Sequence, residues 1–484
     1  MTAAPAMRSR LSLPASGRLL RFEVRRNAML WMVPLTAALF WLITYRRSMA
    51  LPPLWNLRAM GMQAGTVSVF ALTVVGVAAW TGSRERRHAM TDVLEGTARP
   101  RWIRQLAAWG ATTGWAWLAY LGCVGVLYAA TARQATWGGP LWWPAAVGAA
   151  SVPAFSAIGF AAGALRPSRF TAPLVAIVTF FALQLSVQMI HGGGSPWQIS
   201  PLVAGPWQLG TDAGVATFYP YVPDLPVAQL LFLAGLTAML LGCLGMSAGA
   251  GGPWLRRSAA AITAAGLLVS GSAVALTGTG RLDPHGMIAI PALHDASSDR
   301  PIPYTPVCGG AAIPVCLHPA YAVYLPPVTA ALEPLLAELA GLPGAPVRIS
   351  QTSAVYRQEA GNGVGIGLSG PIISGTPPVF HLLLPNQLGG AAMTAGEMAA
   401  AVHTETRRDV LAAVIGGGGA KAAATSPAQE AVSAAMLGIA TEPGTPVGAK
   451  AARFAVLPPA ARHAWLAEHL LALRSGDLTL AQLP

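Results

Sequence analysis

Charge is scarce in this chain. Asp, Glu, Lys and Arg make up 10% of its 484 residues, against 54% hydrophobic residues. They are missing altogether from seven stretches, 28–45, 60–81, 105–130, 144–165, 170–190, 227–248 and 258–279. A bilayer core takes about 20 apolar helical residues to cross, so these stretches predict a polytopic α-helical membrane protein and exclude a soluble first half. Pro34, Pro153 and Pro173 fall inside the stretches and predict kinks or first turns whose freed backbone groups neighbouring helices must satisfy.

The few charges are unevenly placed. With the N-terminus inside, sixteen arginines fall in inner segments: 8, 10, 18, 21, 25, 26, 84, 86, 87, 99, 101, 104, 166, 169, 256 and 257. The outer segments before residue 280 hold four, Arg46, Arg47, Arg58 and Arg133. Basic residues flanking spans stay cytoplasmic, which predicts a cytoplasmic N-terminus in the plasma (inner) membrane and an extracytoplasmic region 280–484. The seventh stretch, 258–279, is mostly Ala, Gly, Ser and Thr; were it not to cross, the C-terminal region would lie inside. The net charge of +12 also divides along the chain: residues 1–279 hold 20 basic and 6 acidic groups, residues 280–484 hold 11 and 13. The basic excess thus belongs to membrane flanks facing anionic headgroups, and no basic-aromatic surface points to nucleic acid.

Other absences narrow the chemistry. No Gly-x-x-x-x-Gly-Lys-Ser/Thr loop occurs; GGGGAKAAAT around Lys421 has alanine where the second glycine and the hydroxyl belong. His403 and Glu405 lie in HTETR, which lacks the His-Glu-x-x-His pattern of a metalloprotease helix, and His463 and His469 stand apart from it. The string GMSAG (245–249) has the Gly-x-Ser-x-Gly letters but runs out of the uncharged stretch 227–248, so no strand-to-helix nucleophile elbow is predicted. The expectation is a chain that is not an enzyme and holds neither metal nor cofactor. Of four cysteines, Cys123 and Cys243 fall inside spans as small packing residues, whereas Cys308 and Cys316 frame GGAAIPV, a short loop suited to a disulfide in an oxidising compartment.

Residues 1–27 alternate Leu19, Leu20 and Phe22 with Arg18, Arg21, Arg25 and Arg26, the pattern of an interfacial amphipathic helix. The longest inner loop, 82–104, carries both signs of charge, with Ser83 placed to cap a helix and Gly96 and Pro100 to end it. Residues 280–484 are long enough for one core and predict a mixed α/β domain. Its helices are expected at 321–342, 393–415, 427–439 and 460–474, with Val328, Leu332, Leu335, Leu336 and Leu339 on one face. Strands are expected at 347–350 and 379–384.

This layout resembles the membrane subunit of a type-2 ABC exporter. The counterparts are an amphipathic lead-in (1–27), a six-span domain (28–250) and a charged loop between the second and third spans, ERRHAMTDVLEGTARPRWIRQLAAW, similar to that family's coupling segment. The tail FAVLPPAARHAWLAEHLLALRSGDLTLAQLP is similar to that of large actinobacterial-type permeases of the group. The seventh span (258–279) and the outer domain (280–484) depart from the minimal pattern. The resemblance implies an exporter of amphipathic or apolar cargo such as a natural product, peptide or lipid-like molecule. It also implies a second permease subunit, the same or a paralogue, and cytoplasmic ATPase subunits that bind ATP and Mg. Coupling then falls to Arg84, Glu85, Arg86, Arg87, Asp92 and Glu95. Gln184, Gln188 and His191, at i, i+4 and i+7, either line a cargo path or hydrogen-bond between helices. Gly110/Gly114 and Gly159/Gly163 predict close-packing faces. Two alternatives stand beside transport: a sensor or immunity component of a peptide-resistance system whose outer domain binds ligand, and a membrane-anchored peptidase-like enzyme at the outer surface.

Overall fold

The computed structural model describes residues 13–88, 99–189, 214, 216–248, 252–359, 364–388, 392–416, 426–442 and 444–484. The chain is mostly helical in its first part and mixed in its last, a polytopic membrane protein with a C-terminal region of small sheets. Helix α1 (Leu13–Arg25) meets α2 (Ala28–Thr44) at a bend of 50°. There follow α3 (Trp55–Gly82, passing through a π-turn at Thr66–Phe70), α4 (Arg84–Arg87), α5 (Arg101–Ala132), α6 (Trp142–Leu165), α7 (Thr171–Met189), α8 (Asp224–Ser247) and α9 (Gly252–Thr277). Among the described residues five helices, α3, α5, α6, α8 and α9, are long and apolar enough to cross a membrane; the α1–α2 pair, taken as one bent span, makes a sixth, and α7 contributes a shorter apolar segment. Pro34 and Pro153 sit within α2 and α6, and Pro173 in the first turn of α7.

Glycine sets how closely these helices pack. A Cβ on Gly159 would run into the Val75 carbonyl, and one on Gly163 into that of Ala79, so α6 lies backbone to backbone on α3. Gly82 returns the contact onto the Phe160 carbonyl. Gly110 and Gly114 behave otherwise: a Cβ there meets nothing within 4 Å, so within this chain they form no packing face. Thr112, on the same helix, carries the contact instead, accepting a 3.0 Å hydrogen bond from Asn27 Nδ2. Helix α9 packs on α8 with the same economy of side chain, Gly235 and Gly266 each facing the other helix's backbone. The Ala, Gly and Ser content of α9 thus serves close approach.

Among its described residues the C-terminal region has one five-stranded mixed sheet and two small two-stranded ones. Strands β1 (Arg281–Leu282) and β2 (Ile288–Ala289) form the first ribbon, and β6 (Val355–Gln358) and β7 (Val364–Gly367) the other. The larger sheet holds β3 (Val307–Gly309), β4 (Val315–Leu317), β5 (Arg348–Gln351), β8 (Ile373–Ser374) and β9 (Val379–Leu382), ordered β3-β4-β5-β9-β8. Cys308 and Cys316 are register partners in the β3–β4 hairpin and form a disulfide. β4, β5 and β9 run parallel, and α10 (Leu325–Leu339) crosses between β4 and β5, burying Val328, Leu332, Leu335, Leu336 and Leu339. Helices α11 (Ala395–Ala401, continuing through a π-turn into Arg407–Ile415), α12 (Pro427–Leu437), α13 (Pro446–Val456) and α14 (Pro459–Ser475) complete the core.

That core does not stop at the domain. Leu54 and Leu57, at the start of α3, and Phe218, before α8, belong to the same buried cluster as Val315, Tyr321 and Leu332. Thr136 Oγ1, beyond α5, donates to the Pro319 carbonyl at 2.7 Å, and Asp224 accepts from the Ile290 amide at 2.7 Å. Ala273, near the end of α9, packs with Ile290. The C-terminal region therefore seats on the end of the bundle that holds the start of α3, the end of α5, the start of α8 and the end of α9. At the opposite end lie α1, α4, the start of α5 and, packed on Trp102, Ala248 and Leu255.

Candidate functional site

The end opposite the C-terminal region concentrates the ionic groups. Helix α1 places Leu20 and Phe22 in the open, 43% and 51% exposed, beside exposed Arg18, Arg21 and Arg25, while Glu23 turns inward and is buried. Asn27 fixes the corner into α2: its Oδ1 accepts from the Met29 amide while its Nδ2 donates to Thr112. Trp115 Nε1 donates to the Val24 carbonyl at 2.8 Å. The amphipathic helix is thus bolted to α5 before its arginines are considered.

From there the pairs run through α4. Arg84 donates to Glu23 Oε1 at 2.7 Å, joining α4 to α1. Glu85 lies between Arg101 at 3.3 Å and Arg104 at 3.5 Å, joining α4 to the first turn of α5, and all three side chains are under 20% exposed. Arg87 stacks its guanidinium 3.4 Å over the Trp80 ring, and donates to Ser83 Oγ and the Trp80 carbonyl. Ser83 begins α4 without a capping bond of its own. Arg86 is exposed and has no partner among the described residues. Arg84, Glu85 and Arg87 thus hold the turn through partners within the chain, and Arg86 projects from it. Asp92 and Glu95 lie outside the described residues. Of the proposed cargo-path residues, Gln184 and Gln188 stand on α7 with their side chains outside the described set, and His191 lies outside it altogether.

A partly buried Glu between two arginines resists removal of either sign, because what is left behind is an uncompensated ion in a poorly solvated place. Any force on α4 passes at once to α1 through Arg84 and to α5 through Glu85. Trp102 carries it on to α8, its Nε1 donating to the Leu241 carbonyl at 3.0 Å. Between these elements lies a cavity of about 460 Å³, lined among others by Phe22, Glu23, Arg26, Arg84, Gln105 and Phe160.

Two features of the C-terminal region escaped sequence reasoning. His318 is fully buried at the seam with the bundle, ringed by Trp137, Phe218, Tyr304 and Tyr321 at centroid distances of 5.0, 4.9, 4.2 and 6.3 Å. Its Nδ1 accepts from the Ala320 amide, and burial pushes its pKa down to about 4. Second, β8 and β9 bring Ser374 Oγ to 2.6 Å from His381 Nε2, with His381, Arg357 and Asp409 lining a cavity of about 440 Å³. No motif flags either feature: the Trp137–His318 contact joins residues far apart in sequence, and the two-residue β8 is too short to show a period. His403 faces the Arg407 guanidinium at 2.8 Å, and His463 and His469 each engage a nearby backbone carbonyl. Among the described residues no cluster of three or more His, Cys, Asp or Glu could hold a metal ion.

No protein-family model, curated protein or solved structure matches the chain.

Proposed function

We propose that the chain is the membrane subunit of an ATP-driven exporter of the type-2 ABC class, drawing energy from separate cytoplasmic ATPase subunits that carry ATP and Mg, and pairing with a second permease subunit. The observation that carries the reading is the clamp around α4: a short charged helix between two long spans, ion-paired to α1 and α5, with Arg86 left exposed. ATPase closure would push this turn and rock the bundle, opening an amphipathic or apolar cargo path outward. In this reading the α4 end is cytoplasmic, seven helices cross the plasma membrane, and the disulfide-bearing domain stands outside. The alternation of helix ends, with the arginine-rich turns at one end and the C-terminal region at the other, supports seven crossings from an inside start.

The test is affinity purification of the tagged full chain from its native membranes, scoring ATP hydrolysis and the ATPase polypeptide in the eluate. Arg86→Glu should leave insertion intact and lower ATPase retention about tenfold or more, since like charges juxtaposed at an interface cost several kcal/mol. Reversal of Arg166 and Arg169, in the short turn before α7, should matter less. An eluate of folded wild-type chain with no ATP-hydrolysing polypeptide would contradict the proposal.

A sensor role is the second reading, and the cavity beside Ser374 and His381 favours it. Ligand binding by the full chain that persists without any ATPase would point that way.

A further inference from the structure

The cavity at the α4 end has a charge pattern that selects its occupant. Two of its lining residues carry acceptor oxygens that the described protein leaves unpaired: Glu23 Oε2 and Gln105 Oε1. Both residues are more than nine-tenths buried, at 6% and 7% exposure. Unpaired buried acceptors are costly, and only a donor relieves them. On the rim stands Arg26, exposed and resting over the Phe22 ring at 5.0 Å, with Arg84 beside it committing one nitrogen to Glu23 Oε1. A bare metal cation would face these arginines, and a simple anion would leave both acceptors unmet. A group with an N–H-bearing cation at one end and an anion at the other satisfies both.

The rim also says where that group comes from. Phe22 lines the cavity while half exposed on an amphipathic helix, and Leu20 is exposed on the same helix. Such a helix lies at the boundary of headgroups and acyl chains, with its apolar side chains in the lipid. The volume, about 460 Å³, falls in the range of small-ligand sites. We infer that this cavity binds the headgroup of an aminophospholipid, its ammonium donating to Glu23 Oε2 and Gln105 Oε1 and its phosphate held by Arg26 and Arg84. The site requires only that this end of the bundle meets a membrane surface, so it stands or falls independently of the transport reading. A quaternary ammonium has no N–H to give, so phosphatidylcholine is the discriminating competitor.

The experiment is native mass spectrometry of the purified full chain in detergent, offered equimolar phosphatidylethanolamine and phosphatidylcholine with identical acyl chains. Phosphatidylethanolamine should be retained about tenfold over phosphatidylcholine, the ratio expected of one hydrogen bond to a charged group. Gln105→Met removes an acceptor that the protein does not itself use, so thermal stability should hold while the preference falls severalfold, the remainder coming from Glu23 Oε2. Retention of phosphatidylglycerol should be unchanged in Gln105→Met and reduced in Arg26→Gln. Water-soluble glycerophosphoethanolamine should displace the lipid only at far higher concentration. Equal retention of the two zwitterionic lipids by the wild type, or an undiminished preference in Gln105→Met, would overturn the site. Displacement by glycerophosphoethanolamine at matched concentration would overturn its assignment to lipid.

Discussion

Replacing Gly163 by alanine should destabilise the bundle, and the structure gives the mechanism. The new methyl would sit against the Ala79 carbonyl well inside the 3.0 Å that real Cβ contacts respect, and its neighbour is backbone rather than a side chain that can swing away. Helices α3 and α6 would have to separate by roughly 1 Å, a gap that forfeits about a quarter to a half of the dispersion energy of each facing atom pair. Overpacking of this kind costs about 1–3 kcal/mol. Gly159→Ala, meeting the Val75 carbonyl one turn away, should cost about the same alone. The double variant should cost less than the sum, because one separation relieves both clashes. Gly114→Ala is the control: nothing lies within 4 Å of its Cβ, so the higher helix propensity of alanine should stabilise by up to about 1 kcal/mol. Thermal or denaturant unfolding in one detergent would rank the four. The packing argument fails if Gly163→Ala is as stable as Gly114→Ala, or if the two α6 changes are fully additive.

Other perturbations address the rest of the molecule. Glu85→Gln should cost about 1–3 kcal/mol in unfolding experiments, because Arg101 and Arg104 lose a charged acceptor. Reducing the Cys308–Cys316 bond should lower the stability of the C-terminal region by about 2–3 kcal/mol, read as a shift in its melting transition with reductant. His318 is held neutral in the folded state, its pKa down at about 4 against an ordinary 6.5, so the unfolded chain binds the extra proton first. Stability should therefore fall as pH drops from about 6.5 towards 4, by up to about 3 kcal/mol from this group. Asp283, raised by burial, acts in the opposite sense, so the measurement is the difference between wild type and His318→Asn, whose dependence should be flatter.

What the sequence disclosed follows from what each feature depends on. Membrane helices are legible because a lack of charge over some twenty residues is a local property, and each of the uncharged stretches 28–45, 60–81, 105–130, 144–165, 170–190, 227–248 and 258–279 overlaps a helix among the described residues. Helix α10 was legible for the same reason: its five spaced apolar residues are all buried, together with Leu325. Strands β5 and β9 were expected, whereas β1, β2, β3, β4, β6, β7 and β8 were not, since their pairing is set by partners elsewhere in the chain. GxxxG spacing marked Gly159 and Gly163 correctly and Gly110 and Gly114 not, because the spacing says that close approach is permitted and nothing about which helix faces it. At the ionic end, composition supplied the residues of 82–104, but only the fold shows that Arg84 and Glu85 are spent on α1 and α5 while Arg86 is free to meet a partner. The ring around His318 unites residues from 137 to 321 and has no local signature.

The most direct test of the account is the sidedness of the two ends of the bundle. Arg86→Cys and Ser298→Cys each place a thiol at an exposed position, one on α4 and the other in the C-terminal region. Each would be made in a chain lacking Cys123 and Cys243 and treated in intact cells with a membrane-impermeant maleimide. Seven crossings from a cytoplasmic start predict that the thiol at 298 reacts at once and the thiol at 86 only after permeabilisation. Reaction of both from the same side, or of the thiol at 86 alone in intact cells, would contradict the topology and with it the cytoplasmic drive on α4.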